Sequence, residues 1–232
     1  MQTTKILGIT VSLRSLRESL NYSEYLSGKV PLSTIQYITT RMLIKASQQS
    51  EFKQLLENTD MLICAEPDIL KAAGINSGAR QYEIENNLFF KELCRPIHRN
   101  GDGFYLISET PDKLQVLSDM FDDYLGENCK IVTRVLDDMK DKDGLINHAV
   151  LANEINDFAP RIIISNLSFP YQLQLMNDLK SFLNARIWLG LPSEMTFYKK
   201  SKFSLPAFLG IGQKYFKKKV NQYENSPKNI EN

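Results

Sequence analysis

Short apolar runs, each closed off by turn residues and separated by stretches of helical period, constrain this chain most. The runs are Lys5–Ile9, Thr34–Ile38, Met61–Cys64, Gly103–Ile107, Lys130–Val135, Arg161–Asn166 and Arg186–Leu191. Runs this short and this apolar read as strands buried on both faces. Between them lie helical repeats. Ser15–Ser27 carries Leu16, Leu20 and Tyr25, and Met42–Asn58 carries Leu43, Ala46, Phe52, Leu55 and Leu56. Thr110 followed by Pro111 reads as a cap with proline at the first helical position, leading into Leu114, Leu117, Met120, Phe121 and Leu125. Leu145–Phe158 and Tyr171–Phe182 complete the set. Strands alternating with helices of this length pair in parallel. The expected fold is therefore α/β: a doubly wound, mostly parallel sheet with helices on both faces. Ligands of such sheets bind beyond the carboxyl ends of the strands, so the loops of interest follow Ile38, Cys64, Ile107, Asn166 and Leu191.

The chain of 232 residues is 43% hydrophobic and 24% charged, enough for one large α/β domain. A net charge of +1 argues against nucleic acid as a partner. Cys64, Cys94 and Cys129 are widely spaced with no CxxC, and His98 and His148 stand alone, so neither a disulfide framework nor a metal site is expected, and no cofactor is called for. The polar start followed by a short apolar run has no signal-peptide core, and no apolar run approaches the roughly 20 residues that span a bilayer. A cytoplasmic location is expected.

The end of the chain differs in character. Residues Phe197–Lys219 contain Lys199, Lys200, Lys202, Lys214, Lys217, Lys218 and Lys219, interleaved with Phe, Tyr, Leu and Ile, and no acid. Lysines beside aromatics suit an anionic membrane surface, each lysine contributing about 1 kcal/mol. The plainer alternative is a solvated basic helix packed on the domain by its aromatics. The expected organisation is an α/β domain over 1–196, a basic helical appendage over 197–220 and a disordered tail over 221–232.

Other constellations carry less. The histidines lack a nucleophile elbow. Gly101-Asp-Gly103 precedes a strand and reads as a turn. The acidic run Asp137–Gly144 lacks calcium-loop spacing and reads as a solvated loop. Phe89, Phe90 and Trp188 are expected in the core.

Several segments together resemble the WecG/TagA/CpsF glycosyltransferases. They are Ile6-Leu-Gly-Ile-Thr-Val with the Leu16/Leu20 helix, Met42-Leu-Ile-Lys-Ala-Ser-Gln-Gln-Ser-Glu-Phe-Lys-Gln-Leu-Leu running into Asp60-Met-Leu-Ile-Cys, Phe104-Tyr-Leu-Ile-Ser before Pro111, and Ile155–Leu167 with Pro170-Tyr-Gln after it. The basic tail matches that family's C-terminal appendage. The resemblance spans roughly residues 5–219. It implies transfer of an N-acetylmannosamine-type or related hexose from a UDP-sugar to a polyprenyl-diphosphate-linked acceptor, with inversion and without a protein-held metal. A carboxylate would act as general base on the acceptor hydroxyl. The protein would sit peripherally at the inner face of the cell membrane, with a protein partner or a second copy of itself as further partners.

The departures from the family pattern concentrate at the carboxyl ends of the strands. Where the resemblance implies Pro-Asp-Gly-x-Gly, this chain has Cys64-Ala-Glu-Pro-Asp68, so Ala65 stands at the base position. Glu66 or Asp68 would have to substitute; otherwise they are loop and helix-cap residues. The Asn and Glu of a Thr-Pro-Asn-x-Glu segment become Thr39 and Arg41, and a cation there could face a diphosphate. A Gly-Gly pair becomes Ser108-Glu109. Gln172 survives, but the glutamate after it is Leu173. In the last segment Gly190 survives and Glu194 replaces an aspartate. Thr39, Arg41, Gln172 and Glu194 are thus the substrate-binding expectations, with Glu66 and Asp68 as catalytic ones. Two readings stand: an active transferase with a reworked site, and a transferase-like binding or regulatory subunit that has lost its base.

Overall fold

Three of the buried runs carry large apolar side chains on alternate faces, and this places a hydrophobic layer on each side of one sheet. In β5 (Phe104–Ser108), Phe104 and Leu106 point to one layer while Tyr105 and Ile107 point to the other. β7 (Ile162–Ser165) and β8 (Ile187–Gly190) alternate in the same way, with Trp188 fully buried opposite Ile187 and Leu189. The structure, a computed structural model, describes residues 3–126, 129–193 and 206–226. With β3 (Ser33–Ile38), β4 (Met61–Cys64) and β6 (Ile131–Val135), these strands form a six-stranded sheet of order β4-β3-β8-β7-β5-β6, parallel throughout. The doubly wound α/β reading is correct.

One layer holds α1 (Leu16–Ser27), α6 (Leu88–Arg99) and α7 (Pro111–Leu125). The other holds α2 (Thr40–Gln48), α3 (Ser50–Glu57), α4 (Pro67–Ala72), α8 (His148–Phe158) and α9 (Tyr171–Leu179). α5 (Gly78–Glu85) bridges α4 and α6 at the surface. Caps read from the sequence are present: Thr110 accepts from Lys113 N, and Pro111 opens α7. Phe89, Phe90 and Trp188 are buried as expected. Asp137–Met139 forms one 3₁₀ turn leading into an exposed loop.

Three local expectations need correction. Lys5–Ile9 is not a strand of the main sheet. It is split at Leu7-Gly8, both with positive φ, into an antiparallel hairpin of β1 (Thr3–Ile6) and β2 (Ile9–Ser12). Positive φ at both central residues is the two-residue turn that matches strand twist. Its usual Asn-Gly signal is absent, and this hid it. The helix read over Met42–Asn58 is broken at Gln49, whose extended backbone ends α2 and starts α3 with no side-chain cap. The break lets α3 turn onto β2 and α9. Finally, α4, α5 and α6 lie where no helix was expected. α6 hides behind Pro96 in its interior and a left-handed Asn87 as its cap, although its buried residues Phe89, Phe90, Leu93, Cys94 and Ile97 follow a helical period.

The last helix, α10 (Pro206–Glu224), runs four residues past the expected boundary at 220. Phe216 and Val220 are buried in the core against α2 and α4, and Tyr223 reaches the hairpin turn at Gly8. Lys214, Lys217 and Lys218 are exposed. Phe216 and Tyr223 are therefore spent on packing, while Lys214, Lys217 and Lys218 face outward. Lys199, Lys200 and Lys202 lie outside the described residues. Among the described residues no helix is long and apolar enough to cross a membrane.

Gly8 combines positive φ with a close approach of the Tyr223 ring. Gly8→Ala is expected to destabilise the protein by about 1–2 kcal/mol through left-handed strain alone, and more if Tyr223 is displaced. Urea unfolding measures it, and an unchanged midpoint would refute the latch.

Candidate functional site

The parallel register brings Gln36, Gly190, Ser165 and Ile107 into one row across the sheet, just before the strands end. Gly190 has no side chain in this row, and the gap beside it is filled by two carboxamides. A Cβ on Gly190 would collide with Gln36 Oε1 and Gln172 Nε2. Gln172, 2% exposed, uses its whole hydrogen-bonding capacity. Its Oε1 accepts from Ser165 Oγ at 3.1 Å and Leu167 N at 2.9 Å. Its Nε2 donates to Gln36 Oε1 at 2.7 Å and Leu191 O at 3.0 Å. Trp188 Nε1 donates to the same Ser165 hydroxyl at 2.9 Å. Gln172, expected as a substrate ligand, thus first ties the exits of three strands together.

Above this network a cleft of about 250 Å³ opens at the ends of β3, β7 and β8. Thr39, Arg41, Met42 and Lys45 form one wall; Ser168, Phe169 and Gln172 face them, and Pro192 and Ser193 close the end. Thr39 caps α2 by accepting from Met42 N at 3.2 Å. Arg41 is exposed in the first turn of that helix, with Lys45 one turn further on. Thr39, Arg41 and Gln172 are thereby brought together as expected. Glu194 follows Ser193 directly but lies outside the described residues. Gln36, Lys45 and Phe169 were missed. The signal for Lys45 was its spacing of four from Arg41, which puts two cations on one helix face.

The two carboxylates expected to act as base are held elsewhere. Glu66 Oε2 accepts from Thr40 N at 3.0 Å, so it satisfies a free donor at the start of α2. Asp68 sits in the first turn of α4, 3.3 Å from Lys71 Nζ. Neither lines the cleft.

A second crevice would be expected between β5 and β7, because the chain leaves them towards opposite sides of the sheet. Here it is stitched shut. Glu109 pairs with Lys113 and accepts from Ser168 Oγ at 2.7 Å, and Ser108 Oγ donates to Asn166 Oδ1 at 2.5 Å. Burial opposes the Glu109 charge, but the bonds from Lys113 and Ser168 outweigh it and hold the carboxyl below its usual range. The charge of Glu109 is therefore matched by Lys113 within the fold. Among the described residues no group of three or more His, Cys, Asp or Glu could hold a metal ion.

Residues 4–210 match the model of the glycosyl transferase WecG/TagA/CpsF family. The chain belongs to that family. Its members are glycosyltransferases of cell-surface polysaccharide synthesis, so a sugar-nucleotide donor and an acceptor are the partners that membership supports. No curated protein matches the sequence.

Within this family frame Ala65 stands at the expected base position, and its surroundings are apolar. Its amide donates to Ile38 O at 2.9 Å. Its methyl group packs on the cluster that contains Tyr37, Phe89 and Phe90. The nearby space, bordered by Tyr37, Cys64, Arg80 and Glu83, is about 40 Å³, room for little more than a water. Burial pushes the Cys64 thiol up to about 12, so it supplies no nucleophile or base there.

Gln172→Leu would leave Gln36 Oε1, the Leu191 carbonyl and the Leu167 amide short of partners. The expected loss is at least about 3 kcal/mol, at about 1–3 kcal/mol for each of the three stranded buried groups. Urea denaturation measures it; a loss below 1 kcal/mol would mean water replaces the amide and the network is not what aligns the strand ends.

Proposed function

We propose that the cleft at the ends of β3, β7 and β8 receives the diphosphate of a UDP-sugar. The protein then transfers the hexose, of N-acetylmannosamine type, to a polyprenyl-diphosphate-linked acceptor. The observation that carries this is the pair Arg41 and Lys45 on the cleft wall, at a strand exit where such folds bind ligands. In the reaction the acceptor hydroxyl oxygen attacks the anomeric carbon from the face opposite the leaving group. The bond to the UDP oxygen breaks, UDP departs with the electron pair, and a base takes the hydroxyl proton. Glu66, beside the cleft at Thr40, is the base in this reading, with Asp68 behind it on α4.

The second reading, a binding or regulatory subunit without catalysis, is favoured by one specific observation: Ala65 and its apolar packing occupy the family's base position. Calorimetry with UDP and UDP-N-acetylhexosamines, followed by turnover on a lipid-linked acceptor, separates the two. Micromolar donor binding with turnover that falls at least 100-fold in Glu66→Gln/Asp68→Asn supports the enzyme. Donor binding without turnover supports the subunit. No binding up to millimolar sinks the donor site itself.

The exposed Lys214, Lys217 and Lys218 support peripheral attachment by charge at the inner face of the cell membrane. At about 1 kcal/mol each, replacing all three by Gln is expected to weaken sedimentation with anionic liposomes on the order of 100-fold. Wild-type binding should also fall steeply as salt rises. Binding unaffected by either change would overturn this attachment. A second copy or a partner protein remains part of the proposal for the subunit reading.

A further inference from the structure

Lys45 has no carboxylate within ion-pair distance among the described residues. Its ammonium instead sits 4.9 Å from the centre of the Phe52 ring and 5.5 Å from that of Phe169. The two rings meet edge to face with centroids 5.5 Å apart. They come from different elements, Phe52 from α3 and Phe169 from the segment between β7 and α9. The break at Gln49 turns α3 and so lets Phe52 reach this position. Rings hold an ammonium through their negative faces without neutralising its charge. An ammonium on an apolar support, at the wall of a polar cleft, keeps its charge for an anion. A carboxylate partner would have cancelled it, as Glu109 does for Lys113.

A purely structural role fits less well. Arg41 lies one turn away on the same helix face, and like charges at this spacing disfavour a helix by about 0.2–0.5 kcal/mol. Norleucine-like packing between the rings would be met equally by Met, which carries no such cost.

Resting on the cleft as the donor site, we infer that Lys45 is the residue that recognises the phosphate groups of the ligand. Phe52 and Phe169 act as positioning residues that fix its ammonium. The ligand class it selects is a diphosphate ester, and the uridine lies outside its reach.

The test is calorimetric titration of the full chain with UDP, uridine and inorganic pyrophosphate, for wild type, Lys45→Met and Phe52→Leu. Lys45→Met keeps the length and the ring contacts and removes only the charge. Expected are at least tenfold weaker UDP and pyrophosphate binding in Lys45→Met, unchanged uridine binding, and a salt dependence of UDP affinity reduced by about one counterion. Phe52→Leu is expected to weaken UDP about threefold with uridine again unchanged. Equal UDP binding by wild type and Lys45→Met overturns this inference while leaving the donor site standing. Pyrophosphate binding that depends on Lys45, without any UDP binding, supports the phosphate role and sinks the donor reading. No binding of any of the three overturns both. Thermal unfolding of each variant is measured alongside. If Lys45→Met melts with the wild type, a weakened affinity belongs to the charge; if it melts early with UDP and uridine weakened alike, the lysine is structural and the inference fails.

Discussion

The carboxamide of Gln172, seated in the gap that Gly190 leaves, is the interaction on which the functional end of this molecule depends. Parallel strands have no hairpins to align their ends, so something else must hold the exits of β3, β7 and β8 level. Gln172 does so by joining Gln36, Ser165, Leu167 and Leu191 across three strands. A buried amide satisfied on every side is rigid, because each alternative geometry strands a polar group in low dielectric. The cleft walls stand on that base. Gly190 is retained for steric reasons: a Cβ there would strike both amides.

Several polar groups at the strand exits, which in a sugar-nucleotide fold could face a ligand, are here bonded to one another. Glu66 satisfies the start of α2. Glu109, Lys113 and Ser168 close the crevice between β5 and β7. Ala65, with Tyr37 and Phe89, turns the expected base position into an extension of the hydrophobic layer. The cleft beside α2 is open, and among the described residues its lining carries cations and amides but no carboxylate. The fold class is therefore legible in the sheet, whereas the open cleft occupies only part of the strand exits.

Most of the legible strands share one property: they are buried on both faces, so nearly every residue is apolar and the signal is continuous. Phe104–Ser108 and Ile162–Ser165 are of this kind. The hairpin was missed because Leu7-Gly8 carries no turn signature except its backbone, and Ile6 and Ile9 on either side read as one run. The break at Gln49 was missed because Gln is an adequate helix former, and only the packing of α3 on β2 and α9 requires the bend. Of the site, Thr39, Arg41 and Gln172 were found through the family pattern, while Lys45, Gln36 and Phe169 lie outside that pattern.

By itself the sequence determined the fold class and the family, and it places Ala65 after β4. Those depend on periodicity, composition and residue identity, which are local properties of the chain. Tertiary structure alone decided what the remaining polar groups do. The bonds of Gln172 to Gln36, of Thr40 N to Glu66 and the inward turn of Phe216 are all matters of partners distant in sequence. Gln36 and Gln172 are far apart in sequence and 2.7 Å apart in space, and only the parallel register makes them neighbours.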